Sequence, residues 1–317
     1  MRLQPLPVPT RVYGGEGIVS YSHRHAARNH SPPGEIETGL RERGIRVRKA
    51  HSAAERVDVW RQLGNLHTSA FTAPTKIDGD PVTDRRLCLQ CTQGNPAIGR
   101  LPRVGLVCLR HKRWLASSPQ VDLCAFVAAL TAERHFRNHL AARGVLFDSF
   151  AMELARACAN PVFVGVEEIE RRRQQSDIET VDALIYPEQI KFARMLTSPT
   201  FLEYVTNPAH LADDRRARIT REVTKILPAW DDSESWRVTE RIWDVARRLT
   251  QLRRESLLWG APARDAYYNL LRFIGLPDFV IGDDWDDYRT TPSTCRRTHH
   301  AVAGNGSSPS AVGLRGR

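Results

Sequence analysis

Apolar residues recur along most of this chain at intervals of three and four, the spacing that lines one face of an α-helix. Ile18, Tyr21, His25 and Ala26 share such a face in a helix beginning near Glu16. Val57, Trp60 and Leu63 stripe another, over Ala53 to Leu66. Between them Ser31-Pro32-Pro33 breaks the chain. Proline suits a helix start, so a helix is predicted over Gly34 to Arg43, stopped by Gly44. The pattern returns further on and predicts helices over 119–142, 148–159, 163–175, 185–206, 209–226, 233–258 and 262–274. Pro161, Pro187, Pro199, Pro208, Pro228 and Pro262 fall mostly at their starts and stops. In 237–258, Val238, Ile242, Val245, Leu249, Leu252 and Leu257 draw the apolar face. The fold class is mainly α.

The stretches without this period set the organisation. Pro5, Pro7 and Pro9 keep residues 1–13 extended, because proline has no N–H to give a helix. Residues 67–85 are rich in Thr, Asp, Gly and Pro and read as a loop. From about Arg289 the chain is Thr-, Ser- and Gly-rich with scattered arginine, a composition that does not build a core. Three parts follow: 1–115, with helices at about 16–66 and a small hairpin unit at 86–115; a helical part at 116–288; and a disordered basic tail at 289–317. The two short helices around Pro32 resemble a helix-turn-helix, in which the second helix enters the major groove. Here that helix offers Glu35 and Glu37 early and Arg41 and Arg43 late, so the pair reads either as a groove reader or as a packing and docking unit. At 41% apolar content the 317 residues suffice for a core. The apolar stretch near Leu123 to Leu130 falls well short of the roughly 18 residues that span a membrane. The first residues lack the apolar core of a secretory signal. A reducing cytoplasm is the expected compartment.

Charge is unevenly placed. The net charge is +10. Residues 1–115 carry 19 basic and 9 acidic side chains, residues 116–290 carry 23 and 27, and the last 27 residues add four arginines and no acid. A polyanion, nucleic acid first of all, is drawn to the basic part. Arg103, Arg110, Lys112 and Arg113, beside Arg41 and Arg43, are the candidate DNA contacts. The alternative is that these are only solubilising charges.

The strongest chemistry lies in Cys88, Cys91, Cys108 and His111. They read C-x2-C, sixteen residues, then C-x2-H. Each short turn sets two donors side by side, and the intervening residues allow a short hairpin to bring the pairs together. This is the arithmetic of one tetrahedral zinc ion. Four protein donors leave no place for water, so the site is structural. Three further cysteines are expected as core residues (Cys124, Cys158) and a tail thiol (Cys295). Other patterns fail. Gly94 to Leu101 lacks the Lys-Ser/Thr of a phosphate loop. Asp283, Asp284, Asp286 and Asp287 lack the glycine and distant glutamate of a calcium loop. His299-His300 sits in the tail. Neither a nucleophile elbow nor a carboxylate centre stands out, and the chain reads as no enzyme.

Two motif blocks carry a resemblance. The first is Pro5-Leu6-Pro7, then Gly15-Glu16-Gly17-Ile18-Val19-Ser20-Tyr21, with Arg24, Ala26 and Asn29 downstream. The second is Arg86-Leu87-Cys88-Leu89-Gln90-Cys91, Arg100-Leu101-Pro102, then Cys108-Leu109-Arg110-His111 and Leu115. Together they resemble the TniQ family of transposition proteins, which includes the TnsD-like target-site proteins, over about residues 5–115. Gly17 stands where the family has serine, and Leu89 where it has proline. A second cysteine pair that some members carry after the histidine is missing. The resemblance implies a non-catalytic accessory role in target-site selection, by binding DNA or a DNA-bound complex. It implies an AAA+ ATPase and a DDE-type transposase as partners, and a homodimer in some members. A zinc-bearing transcription regulator and a protein–protein adaptor are the alternatives.

Overall fold

The computed structural model describes residues 3–48, 50, 53–77, 80–227 and 232–258. The predicted helix at 262–274, the Asp283 cluster, Cys295, His299-His300 and the expected tail lie outside these residues. Contacts group the described residues into two compact units, one within 1–77, 82–148 and 164–190, the other within 78–81, 149–163 and 191–317. The first unit thus runs past residue 115, the limit expected from the sequence. No helix among the described residues is long and apolar enough to cross a membrane.

The first unit opens with α1 (Ile18–Arg28), α2 (Pro33–Glu42) and α3 (Ala54–Leu63). Pro33 starts α2, where its missing N–H costs nothing. Ile18, Ala26, Val47, Val59, Trp60 and Leu63 form a small core, with Leu6, Ile36 and Leu40 packed against it. The proline-rich strap lies on this core. Leu6 N donates to Leu63 O (2.8 Å), and Val8 N to Asn29 Oδ1 (2.9 Å). Tyr21, fully buried, donates to Thr10 O. His25 Nε2 meets Leu63 O at 3.1 Å and Nδ1 meets Thr10 Oγ1 at 3.0 Å. The carbonyl can only accept, so Nε2 carries a proton. Burial lowers the His25 pKa, with Arg28 and Arg24 adding to the effect against the Leu63 hydrogen bond.

The predicted helix over 119–142 begins later than expected. Val121–Asp122 is instead a strand, paired antiparallel with Arg113–Trp114. Helix α4 starts at Val127, runs to His135, and continues through a π turn (Phe136–Leu140) and a 3₁₀ turn (Ala141–Arg143). Its fully buried Glu133 accepts from Gly105 N (2.9 Å), Arg137 Nε (2.6 Å) and the Tyr186 hydroxyl (2.6 Å). A Cβ on Gly105 would fall 2.2 Å from that hydroxyl, so glycine is required there. Asp148 accepts from Arg85 and Thr83. Burial pushes Asp148 up, but these partners outweigh it and hold its carboxyl below the usual range.

Beyond α4 come α5 (Phe150–Cys158), the single turn α6 (Pro161–Val164), α7 (Val166–Ser176), α8 (Val181–Leu196), α9 (Pro199–Thr206), α10 (Ala212–Ile226) and α11 (Asp232–Leu258). The expected helix at 185–206 is two helices, α8 and α9. Pro199 restarts the chain at the first position of α9, whereas Pro187 lies inside α8. In the second unit α9, α10 and α11 pack on one another through Phe201, Leu202, Val205, Ile219, Val223, Val238, Ile242, Val245 and Leu249, all buried. Buried Arg215 donates to Thr250 Oγ1 (2.8 Å) and lies 5.1 Å from the Trp243 ring. Cys158 is a core residue, its thiol pushed up to about 12 by burial. Cys124, expected in a core, is exposed; its N–H turns back to Asp122 Oδ1 just after the strand, which leaves it on the surface.

Candidate metal centre

The first donor pair sits on a tight turn. After Cys88, Thr92 N donates to Cys88 O (3.0 Å) and Gly94 N to Leu89 O (2.7 Å). Gln93 and Gly94 both take positive φ, which turns the chain back on itself. The Thr92 hydroxyl and the Asn95 amide bond the carbonyls of the same turn. The second pair sits on a hairpin. Val107–Cys108 pairs with Arg113–Trp114, Cys108 opposite Arg113, so His111 lies in the connecting loop. Gln120 joins the two pieces, since its Oε1 accepts from Leu89 N (3.0 Å) and its Nε2 donates to Leu87 O (2.8 Å).

The four donor atoms converge to within 4.8 Å of one another. His111 Nδ1 lies 3.5 Å from Cys88 Sγ, 3.2 Å from Cys91 Sγ and 3.7 Å from Cys108 Sγ, and Cys91 and Cys108 Sγ are 3.7 Å apart. A tetrahedral ion with metal–sulfur bonds of about 2.3 Å and metal–nitrogen bonds of about 2.0–2.1 Å spaces its ligands at about 3.6–3.8 Å. The Cys3His group therefore fits a tetrahedral metal ion. Coordination through Nδ1 requires the His111 proton on Nε2. Taken as bare thiols, Cys91 and Cys108 are poorly disposed to ionise. Desolvation, then the neighbouring Cys108 and Cys88, push the Cys91 thiol up to about 12, and burial raises Cys108 as well. A cation at the centre reverses that preference and takes the thiolates directly.

The first donor pair lies between Arg85–Arg86 and Ile98–Gly99, which pair antiparallel, and the second of these strands is pinned to the start of α1. Gly17 N donates to Ile98 O (2.9 Å), Arg100 N to Gly15 O (2.8 Å) and Ile98 N to Ser20 Oγ (2.9 Å). The approach admits no side chain: a Cβ on Gly99 would lie 2.1 Å from Gly15 O. Gly15, at φ +77, would place one 2.5 Å from Leu101 Cδ2. Buried Glu16 organises the turn, accepting from Tyr13 N, Ser20 Oγ and both Arg24 Nε and Nη2.

The candidate DNA contacts fall in two places. Arg110 and Lys112 are exposed on either side of His111, and Arg103 is exposed before the hairpin. Arg113 is half-buried and pairs with Asp122 at 3.2 Å. Arg41 and Arg43 are exposed at the end of α2, away in sequence from the hairpin. Of the acids expected at the start of α2, Glu37 is turned inward. Its Oε1 accepts from Arg56 Nε (2.8 Å) and Trp60 Nε1 (2.9 Å), and Arg41 Nη2 lies 3.7 Å from Oε2. Gln120, Thr92 and Asn95 went unrecognised in the sequence. Gln120 stood in what reads as helix, and the other two carry only ordinary turn chemistry. Comparison with protein-family models, with curated proteins and with solved structures finds no match to this chain.

Proposed function

We propose that Cys88, Cys91, Cys108 and His111 hold one structural zinc ion and that the chain is a non-catalytic accessory factor in DNA transposition, of the TniQ type. Three thiolates and an imidazole suit zinc, and four protein donors close its coordination shell. In this reading the ion orders a surface that docks on DNA or on a DNA-bound complex in the cytoplasm. An AAA+ ATPase and a DDE-type transposase are recruited there. The observation that carries the proposal is the junction of the two motif blocks. Gly15 to Ser20 and Ile98 to Arg100, far apart in sequence, bond to each other through three hydrogen bonds. Segments that carry the two blocks are therefore neighbours in the fold, which supports this reading.

Exposed Arg103, Arg110 and Lys112 supply the electrostatic part, with Arg110 and Lys112 held by the hairpin that carries His111. The test is retention of random duplex DNA by the purified chain over a salt series. Binding through phosphates weakens linearly in log–log form as salt rises. An Arg110→Glu, Lys112→Glu variant is expected to show a shallower slope. A chain that retains no DNA at low salt sinks the direct-contact reading. The inward-turned Glu37 favours a second reading, in which α1 and α2 serve as a protein-docking unit and DNA is reached only through a partner.

A further inference from the structure

A groove of about 1070 Å³ opens between the first turns of α1 and the segments 86–89 and 96–100. Three of the nine exposed large hydrophobic residues among the described residues, Val19, Leu89 and Ile98, line it. Their exposures are 38%, 37% and 49%, high for side chains that gather along one wall and its opposite. Apolar groups collected in a concave surface, rather than scattered singly, mark a place where another chain is received. The charge around them is unbalanced. Of the three arginines in the lining, Arg24 is neutralised by Glu16 and Arg100 by Asp84. Arg86 is exposed and makes no ion pair within 4 Å among the described residues, the lining carboxylates Glu16 and Asp84 being taken by Arg24 and Arg100.

We infer that this groove receives a short acidic peptide of a partner protein, one that sets bulky apolar side chains against Val19, Leu89 and Ile98 and a carboxylate against Arg86. Basic sequences are disfavoured there because they leave Arg86 facing a like charge. The groove's walls are α1 and the segments 86–89 and 96–100, so the bound form depends on the pinning at Gly15 and Gly99. The inference holds whether or not the chain also touches DNA.

The test is fluorescence anisotropy with the full chain as purified and three labelled peptides. The first alternates leucine or phenylalanine with aspartate or glutamate, the second replaces each acid with lysine, and the third replaces each apolar residue with serine. The first is expected to bind saturably and about tenfold more tightly than either other, a difference of about 1.4 kcal/mol. Ile98→Asp, on an exposed side chain, is expected to lower that affinity about tenfold or more, as loss of a central apolar contact does. Arg86→Glu is expected to shift the preference toward the lysine peptide. Circular dichroism and metal content check that both variants fold. Absence of saturable binding, a preference of the unaltered chain for the lysine peptide, or binding unmoved by both folded variants overturns the inference.

Discussion

The segment around the four donors and the bundle of α9, α10 and α11 are held by different forces. In the bundle, long amphipathic helices bury Ile219, Val223, Ile242 and Leu249 against one another, and the apolar surface removed from water does most of the work. Around the donors the named strands are two residues long. Order there comes from hydrogen-bonded turns, from glycines that let backbones touch, and from the converging Cys3His group. A region with so little regular structure cannot rest on burial alone. The difference teaches that one chain can contain a part that folds by surface area and a part that folds by specific chemistry, and that the two should fail under different insults.

The largest separation of the two regions is expected on metal removal. Structural zinc in small domains supplies about 10–16 kcal/mol of apparent binding energy at neutral pH. Chelation, or Cys108→Ser, is expected to abolish slow hydrogen exchange over residues 85–123 and leave α10 and α11 protected. Equal protection of 85–123 with and without metal would refute the comparison. Next comes the converse. Leu249→Ala opens a cavity in the bundle and is expected to cost about 2–5 kcal/mol in urea unfolding with the metal content unchanged. Loss of metal in that variant would mean that the two regions fold as one. Gly99→Ala is expected to cost about 1–3 kcal/mol, the range of overpacked sites, and to raise exchange at Gly17 and Arg100 first. A neutral effect would show that the close approach to Gly15 is dispensable.

The smallest effect concerns pH. His25 has a folded pKa below 6.5 because burial disfavours its charged form. Above pH 6.5 it is neutral in both states and its contribution is fully present. As pH falls below 6.5 the unfolded chain takes up a proton that the folded chain refuses, so stability declines until the folded pKa is passed. His25→Gln is expected to flatten this slope relative to the unaltered chain, compared at matched metal loading. Identical slopes would remove His25 from the acid response.

Legibility followed the same division. Helices of the bundle announce themselves by periodicity, and Ala212–Ile226 and Asp232–Leu258 lie close to where the spacing put them. The donors were legible because ligand spacing is a local property of sequence, as with C-x2-C and C-x2-H. What was not legible is non-local. Val121–Asp122 is a strand because Arg113–Trp114 stands ready to pair with it, and no window around residue 121 contains that information. Gly99 reads as an ordinary loop glycine until Gly15 is placed against it. Glu37 reads as a surface acid until Arg56 and Trp60, 19 and 23 residues later, are seen to need it. Cys124 misled because a cysteine among apolar neighbours usually packs inward.

The proline strap has one more consequence. Between Pro5 and Pro9 the donors at Leu6 and Val8 face the protein, bonded to Leu63 and Asn29. The residues that alternate with them are Pro5, Pro7 and Pro9, which have no N–H at all. The outer margin of the strap can accept hydrogen bonds but cannot offer one. A stray strand from a neighbouring molecule finds no ladder to climb there, so a segment without regular structure lying at the surface carries its own protection against unwanted sheet growth.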